Sequence, residues 1–203
     1  MAHRYRIYLC GRLVASVEGR RIEDAMPGRQ GRLTFAYLVV NRGKAVERDE
    51  LIYALWGERA PADPDTSLSA ILSKLRRAIS PASLEGRSAV TVALPDGAWI
   101  DVDAASEALH RAEAAVAQQQ FVEAWSPARV ALHIAGRGFL SDYDAAWIQP
   151  HRARVEDVYL RALDCYGRAC LEIAGAELSG AERSARSLLR AAPYRESGYR
   201  MLM

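Results

Sequence analysis

The sequence predicts a mostly α-helical protein with a minor β part, in two domains at residues 1–102 and 103–203. Short alternating runs that are typical of strands occupy the first 22 residues. Three amphipathic helical runs and another β-rich stretch follow, up to residue 102. The remainder is nearly all helical in pattern, with short interruptions. The first domain is therefore predicted to be mixed, and the second to be all-helical.

The N-terminal strands are predicted from alternation and turn residues. They cover Tyr5–Cys10, Arg12–Val17 and Arg20–Ile22, with a turn at Glu18-Gly19. Such short neighbouring strands predict a small antiparallel sheet.

Three helices are predicted next, over Arg29–Asn41, Arg48–Trp56 and from Asp63-Pro64 to Ser80-Pro81. Glycines just beyond the first two suit left-handed cap positions. Aspartate is a good N-cap, and proline is favoured at the next position. A β-hairpin is then predicted from Ala89–Leu94 and Ala98–Val102, joined by turn residues Pro95-Asp96-Gly97.

The third helix has two contrasting faces. Leu68, Ile71, Leu72, Leu75 and Ile79 share an arc of about 100°, which predicts a buried face. Small, hydroxyl and cationic residues occupy or flank the opposite face: Thr66, Ser69, Ala70, Ser73, Lys74, Arg76 and Arg77. No Asp or Glu occurs from Thr66 to Leu84. Such a face suits phosphate and base-edge contacts, although a solvent-exposed surface helix is the alternative.

The order of elements favours DNA binding. Three helices followed by a hairpin are the arrangement of a winged helix-turn-helix, in which the third helix enters the major groove. The net charge is only +2, but residues 1–80 hold 14 Lys+Arg against 9 Asp+Glu. Residues 81–103 hold one Arg and four acids, and residues 104–203 hold 12 of each sign. The basic surplus therefore coincides with the predicted DNA-binding helices.

The second domain is predicted as successive helices that suggest a tetratricopeptide-like array. A capping box at Ser179–Glu182 opens one of these helices. The predicted runs are Ala104–Gln118, Phe121–Ala135, Trp147–Gly175, Ser179–Ala192 and a helix starting at Tyr194.

No pattern indicates an enzyme, a cofactor or a metal site. The four histidines lack ligand spacing, and no phosphate-binding glycine motif occurs. Cys10, Cys165 and Cys170 are an odd set without paired spacing, interpreted as reduced, small apolar residues. No run approaches the roughly 20 apolar residues of a membrane span. These observations predict a cytoplasmic protein without membrane contact.

Several runs resemble the Streptomyces antibiotic regulatory protein family of transcriptional regulators, and the resemblance covers almost the whole chain. Their order and spacing together are more specific than any single motif. In the first domain they are Gly28–Leu33, Tyr37-Leu38, Asn41–Gly43, Val46–Leu51, Leu55–Gly57 and Ser73–Ile79. In the second they are Ile100–Asp103, Gly138–Leu140, Trp147–Arg154 and Ala191–Tyr199.

The resemblance implies an OmpR-type winged-helix DNA-binding domain over 1–102 and a bacterial transcriptional activation domain over 103–203. It implies an activator that binds direct repeats in promoter double-stranded DNA and contacts RNA polymerase. Arg48 matches a phosphate-contacting position, and Trp56 matches either a backbone-contacting residue or a core anchor. The residues carried over by position to the DNA contact are Ser67, Ala70, Ser73, Lys74, Arg76 and Arg77.

The sequence departs from the family's pattern in two ways. The predicted hairpin tip, Leu94–Gly97, has no cation for the minor groove, and Arg87 is the nearest candidate. The apolar residues Tyr199 and Leu202 lack a partner helix, so we expect either a truncated chain or cover by another subunit in a homodimer. The tip without a cation and the alanine- and serine-rich exposed face of the third helix leave an alternative function open. It is a helical protein–protein interaction module with a winged-helix scaffold and weak or no DNA binding.

Overall fold

A computed structural model describes residues 4–203 of the chain, which is mostly helical and forms two compact units. Among the described residues, the first unit comprises 4–100 together with Asp142–Gln149. The second comprises Asp101–Ser141 and Pro150–Met203. The short segment Asp142–Gln149 therefore belongs to the first unit although it lies within the predicted second domain.

The helices, and the strands at residues 5–21 and 89–93, lie close to the predicted positions, whereas the sequence predicted no strand at residues 46–47 or 83–85. Asp101 and Val102, predicted as the end of a strand, instead begin a helix. The strands are β1 (Tyr5–Tyr8), β2 (Val14–Val17), β3 (Arg20–Arg21), β4 (Val46–Glu47), β5 (Ser83–Glu85), β6 (Ala89–Ala93) and β7 (Trp99–Ile100). The helices are α1 (Gly28–Val40), α2 (Arg48–Trp56), α3 (Pro64–Ala78), α4 (Asp101–Ala117), α5 (Phe121–Ala135), α6 (Ile148–Ile173), α7 (Leu178–Ala191) and α8 (Glu196–Arg200). The bounds of α2 and α5 agree with the sequence-based prediction at both ends.

The strands of the first unit form two sheets. One has the order β3-β2-β1-β7, in which β1, β2 and β3 are antiparallel neighbours and β7 runs parallel to β1. The other has the order β4-β6-β5 and is antiparallel. Helices α1, α2 and α3 lie between these strands in the chain and pack against one another.

The predicted pairing of residues 89–94 with residues 98–102 is wrong. The hairpin is instead formed by β5 and β6, with Leu84 opposite Val92, and β7 joins the other sheet with Ile100 beside Ile7. Leu84, Val92, Ile7 and Ile100 are all buried, so pairing follows the burial of these side chains. The turn residues around Pro95 connect β6 of one sheet to β7 of the other.

The buried face of α3 is confirmed. Leu68, Leu72, Leu75 and Ile79 are at most 1% exposed, and Ile71 is half-buried. The Tyr5 hydroxyl donates to the Ile79 carbonyl at 3.1 Å. The core of the first unit thus fixes the face that α3 turns away from solvent.

The second unit is built from α4 to α8, apart from the first two residues of α6. Buried alanines such as Ala108 and Ala128 let α4 and α5 approach closely. Arg161 on α6 binds both Glu113 carboxylate oxygens on α4, each at 2.8 Å. Leu163 and Leu188 contribute to a further apolar cluster of this unit.

The predicted capping box at Ser179–Glu182 is wrong. Helix α7 begins at Leu178, so Ser179 already lies inside it, and the N-cap residue Glu177 makes no side-chain cap bond. A 3₁₀ turn over Gly175–Glu177 runs directly into α7, which moves the start of the helix ahead of the serine. The N-terminal donors of α7 are therefore not satisfied by that motif.

The cysteines Cys10, Cys165 and Cys170 are buried free thiols. Burial raises the pKa of Cys165 to about 11, which keeps this thiol protonated near neutral pH. Within residues 4–203, no helix has the length and apolar character needed to cross a membrane.

Candidate nucleic-acid interface

Helix α3 is defined locally by its ends. The Asp63 carboxylate accepts a hydrogen bond from the Thr66 backbone N–H at 3.0 Å, and Pro64 occupies the first helical position. This N-cap was predicted and is confirmed. Hydrogen bonding from Thr66 lowers the pKa of Asp63 below its ordinary value. Arg76 and Arg77 lie in the last turn, where cations interact favourably with the helix dipole.

The face of α3 opposite the core is open to solvent. The exposed residues on or beside this face are Thr66, Ser69, Ala70, Ser73, Lys74, Arg76 and Arg77. Ser67 is half-buried, and its hydroxyl donates to the Asp63 carbonyl at 2.8 Å. Among residues 4–203, Lys74 and Arg77 have no ion-pair partner. Their two charges are therefore available to an anion outside the chain.

Arg48, at the start of α2, has its side chain bound to α3. Its Nε donates to Asp65 Oδ1 at 3.0 Å, and its Nη2 donates to the Asp65 carbonyl at 2.9 Å and to Ser69 Oγ at 2.8 Å. The Arg48 side chain is 23% exposed as a result. Its sequence-based assignment as a phosphate contact stays a prediction.

Arg76 is also engaged within the unit. Its Nε donates to the Leu84 carbonyl at 3.2 Å and its Nη2 donates to the Gly86 carbonyl at 3.1 Å. Both acceptors lie in or directly after β5, so Arg76 ties the C-terminal half of α3 to the hairpin.

The turn of the hairpin is Gly86-Arg87-Ser88, between β5 and β6. Gly86 has φ +85°, and an added Cβ would lie 2.0 Å from the Ala89 carbonyl oxygen, so only glycine fits this close turn. Arg87 is exposed. The expectation that the hairpin tip lacks a cation is therefore wrong, because it rested on the wrong strand pairing.

The charges near α3 are separated along the helix. Asp63 and Asp65 lie at its N-terminal end, while Lys74, Arg76 and Arg77 lie in its C-terminal half. The hairpin adds Glu85, which is exposed, beside Arg87. The C-terminal half of α3 is thus the cationic end of this surface. Trp56, at the end of α2, is half-buried, so both interpretations of it stay open.

Sequence patterns missed the partners of these arginines. Asp65 lies 17 residues from Arg48, and the Leu84 and Gly86 carbonyls carry no sequence signal at all. The only sequence signal for the Arg48–Asp65 ion pair is that α2 begins with an arginine and α3 has an acid in its first turn.

Comparisons with known proteins bear on both parts of the chain. Residues 100–203 match the model of the bacterial transcriptional activator domain family. Transcriptional regulatory protein EmbR of Mycobacterium bovis and of Mycobacterium tuberculosis is 32% identical over 87 residues, which are 43% of this chain and 22% of each relative. These residues are a small part of those longer regulators.

A solved structure has a similar fold. Mycobacterium tuberculosis EmbR in complex with a low affinity phosphopeptide superposes with a TM-score of 0.82 and 24% sequence identity. The match covers 98% of this chain and 53% of that one. This chain therefore spans about half the length of that protein and shares its fold over nearly all of its own residues.

Proposed function

This chain belongs to the bacterial transcriptional activator domain family, and from that premise we propose that it is a sequence-specific DNA-binding transcriptional regulator, an activator of promoters. The exposed face of α3 carries the proposal. It offers hydroxyl and small side chains together with the unpaired cations Lys74 and Arg77, and no carboxylate interrupts it after Asp65.

In the proposed complex the first unit acts as a winged helix-turn-helix of the OmpR type. The order α2, α3, β5 and β6 supports this proposal, because a third helix followed directly by a hairpin is the arrangement that inserts that helix into the major groove. Thr66, Ala70 and Ser73 then face base edges or phosphates, and Lys74 and Arg77 neutralise phosphates or bind guanine.

The hairpin supplies a second contact. Arg87 at its turn is exposed, and a cation suits the negative potential of a narrow minor groove. The observation that had favoured a scaffold without DNA binding, a tip lacking a cation, no longer applies. The alternative of a protein–protein module now rests only on the alanine and serine content of α3.

The second unit is proposed to be the tetratricopeptide-like part that contacts RNA polymerase or a second copy of the chain. Exposed apolar residues near its C-terminal end, Tyr199 at 53% and Leu202 at 46%, support a protein contact there. Direct repeats in the promoter would place two copies side by side.

The test is a selection of bound fragments from random double-stranded DNA, followed by mobility-shift titrations between about 50 and 200 mM salt. We expect an enriched sequence and an affinity that falls steeply as salt rises. If no sequence is enriched and binding to DNA is negligible at the lowest salt, the protein–protein alternative replaces the proposed function.

A further inference from the structure

Arg48 lies where three elements of the first unit meet. Its backbone N–H, at the start of α2, donates to the Ser88 carbonyl in the hairpin turn at 3.2 Å. Its guanidinium reaches Asp65 and Ser69 on α3 over distances of 2.8–3.0 Å. One residue thus joins α2 to α3 and to the turn that carries Arg87.

The three acceptors on α3 define its orientation. Asp65 and Ser69 are four residues apart, so they lie on one side of the helix, one turn apart along its axis. A planar guanidinium that binds a carboxylate, a carbonyl and a hydroxyl at once restricts both rotation and sliding of that helix. A lysine in the same place has a single ammonium group and cannot keep this geometry.

The pair is too exposed to act mainly through stability. The Asp65 side chain is 65% exposed, and ion pairs at such sites contribute little to folding. The contact is instead placed where a small rotation of α3 would move every side chain on its open face. Asp65 also neutralises the positive charge of Arg48, which a phosphate contact by this residue would use.

We propose that Arg48 is a positioning residue for DNA recognition. It holds α3 and the hairpin turn in a fixed relative orientation through Asp65, Ser69 and Ser88. This inference rests on the proposed function. It assigns the phosphate contacts to the unpaired cations Lys74 and Arg77. It differs from the family-based prediction that Arg48 itself binds a phosphate.

The two roles of Arg48 predict opposite effects of Asp65→Asn. A phosphate-contacting Arg48 would be released by this change and would bind DNA more tightly. A positioning Arg48 would lose its partner, so α3 would be less well oriented and the ratio of specific to non-specific affinity would fall. The ratio is the decisive readout, because partial unfolding lowers both affinities by the same factor.

The experiment compares the 203-residue wild-type chain with Arg48→Lys, Asp65→Asn and Arg48→Ala on the selected operator and on unrelated DNA, over a salt series. Circular dichroism confirms that each variant is folded at the assay temperature. We expect the first two to lower the specificity ratio about tenfold, the equivalent of one charge-assisted hydrogen bond. Arg48→Ala should lower it equally, with the salt slope on operator DNA unchanged.

Asp49→Asn is the matched control, since Asp49 is an exposed acid on the same turn of α2. We expect it to leave the ratio unchanged. A specificity ratio of Asp65→Asn at or above that of wild type, or a salt slope about 0.9 smaller in Arg48→Ala, would overturn the positioning role in favour of a phosphate contact. A wild type without salt-dependent binding would instead overturn the proposed function itself.

Discussion

At the scale of single residues, the cations around α3 fall into two groups. Arg48 and Arg76 donate their hydrogen bonds to Asp65, Ser69 and hairpin carbonyls within the first unit. Lys74 and Arg77 are exposed and, within the described part of the chain, unpaired. An unpaired charge can turn toward a phosphate without breaking an ion pair. Lys74 and Arg77 should therefore dominate the salt dependence of DNA binding.

Removal of the unpaired cations should therefore change the salt dependence directly. We expect Lys74→Ala and Arg77→Ala each to weaken DNA binding and to reduce the slope of log affinity against log salt by about 0.9 for each phosphate that the variant no longer neutralises. Mobility-shift titrations over the salt series measure this. Arg111→Ala, which removes an exposed arginine of the second unit, is the control. Unchanged slopes in both variants would remove the assignment of this face.

The hairpin turn gives a second prediction at the residue scale. We expect Arg87→Ala to weaken binding, with a similar decrease in slope, because Arg87 lies at the turn between β5 and β6. Asp96→Arg adds a cation at the turn that the sequence had suggested as the tip. This variant should bind as wild type does. Tighter binding by Asp96→Arg, measured in the same titrations, would show that residues 94–97 approach the DNA.

At the scale of elements, α3 depends on its first turn. The Asp63 carboxylate caps the helix as an anion, and its hydrogen bond from Thr66 lowers its pKa. A group whose pKa is lower in the folded state stabilises the fold above its unfolded-state pKa. That contribution is lost as pH falls through the folded-state value. The cap therefore stabilises α3 at neutral pH and fails only in acid.

We expect Asp63→Ala to lower the unfolding midpoint at pH 7, because one N-terminal N–H loses its acceptor. The difference from wild type should shrink as the pH is lowered below about 4, the ordinary range of an aspartate. Thermal unfolding followed by circular dichroism at several pH values measures it. Asp96→Ala, at an exposed turn, is the control. A difference that grows in acid would contradict the role of the ionised cap.

At the scale of the whole molecule, a distant segment completes the first unit. Within Asp142–Gln149, Asp142 forms an ion pair with Arg12 at 2.8 Å, and its carbonyl accepts from Arg29 at 2.9 Å. The Trp147 ring packs edge-on against Tyr37 of α1, with centroids 4.9 Å apart. The helices proposed to bind DNA therefore need a part of the chain that lies beyond their own stretch.

We expect Trp147→Ala to destabilise the first unit by about 0.5–1.5 kcal/mol from removal of the ring pair alone. Hydrogen exchange should show faster exchange of the α1 amides, because α1 loses a packing partner. Trp125→Ala, which removes the ring packed near Tyr166 in the second unit, is the control. It should accelerate exchange in α5 and α6 instead. Equal exchange of α1 in wild type and Trp147→Ala would contradict the role of the segment.

The positions of the helices could be predicted from the sequence because they depend on local features. Asp63-Pro64 starts α3, and apolar residues at helical spacing, such as Leu68, Leu72 and Leu75, mark its buried face. The candidate face for DNA follows from the same periodicity. The prediction of a capping box at Ser179 is wrong because a 3₁₀ turn, which the motif does not indicate, leads into α7 and makes that helix start earlier.

The strand pairings could not be predicted in the same way. Residues 89–94 have acceptable partners on both sides in sequence, and turn residues near Pro95 favoured the wrong one. The choice depended on burying Leu84 against the core and Ile100 beside Ile7, contacts that join residues far apart along the chain. Because β5 pairs with β6, the hairpin tip contains Arg87 and not residues 94–97. The candidate site therefore has a cation at its hairpin tip.

The sequence by itself determined where the helices lie, which face of α3 is buried and which face is open, since periodicity and caps act within a few residues. The tertiary structure alone decided which strand pairs with β6, which acceptors hold Arg48 and Arg76, and that Asp142–Gln149 completes the first unit. These contacts connect residues from 6 to 113 positions apart, and their partners are selected by packing, not by local pattern.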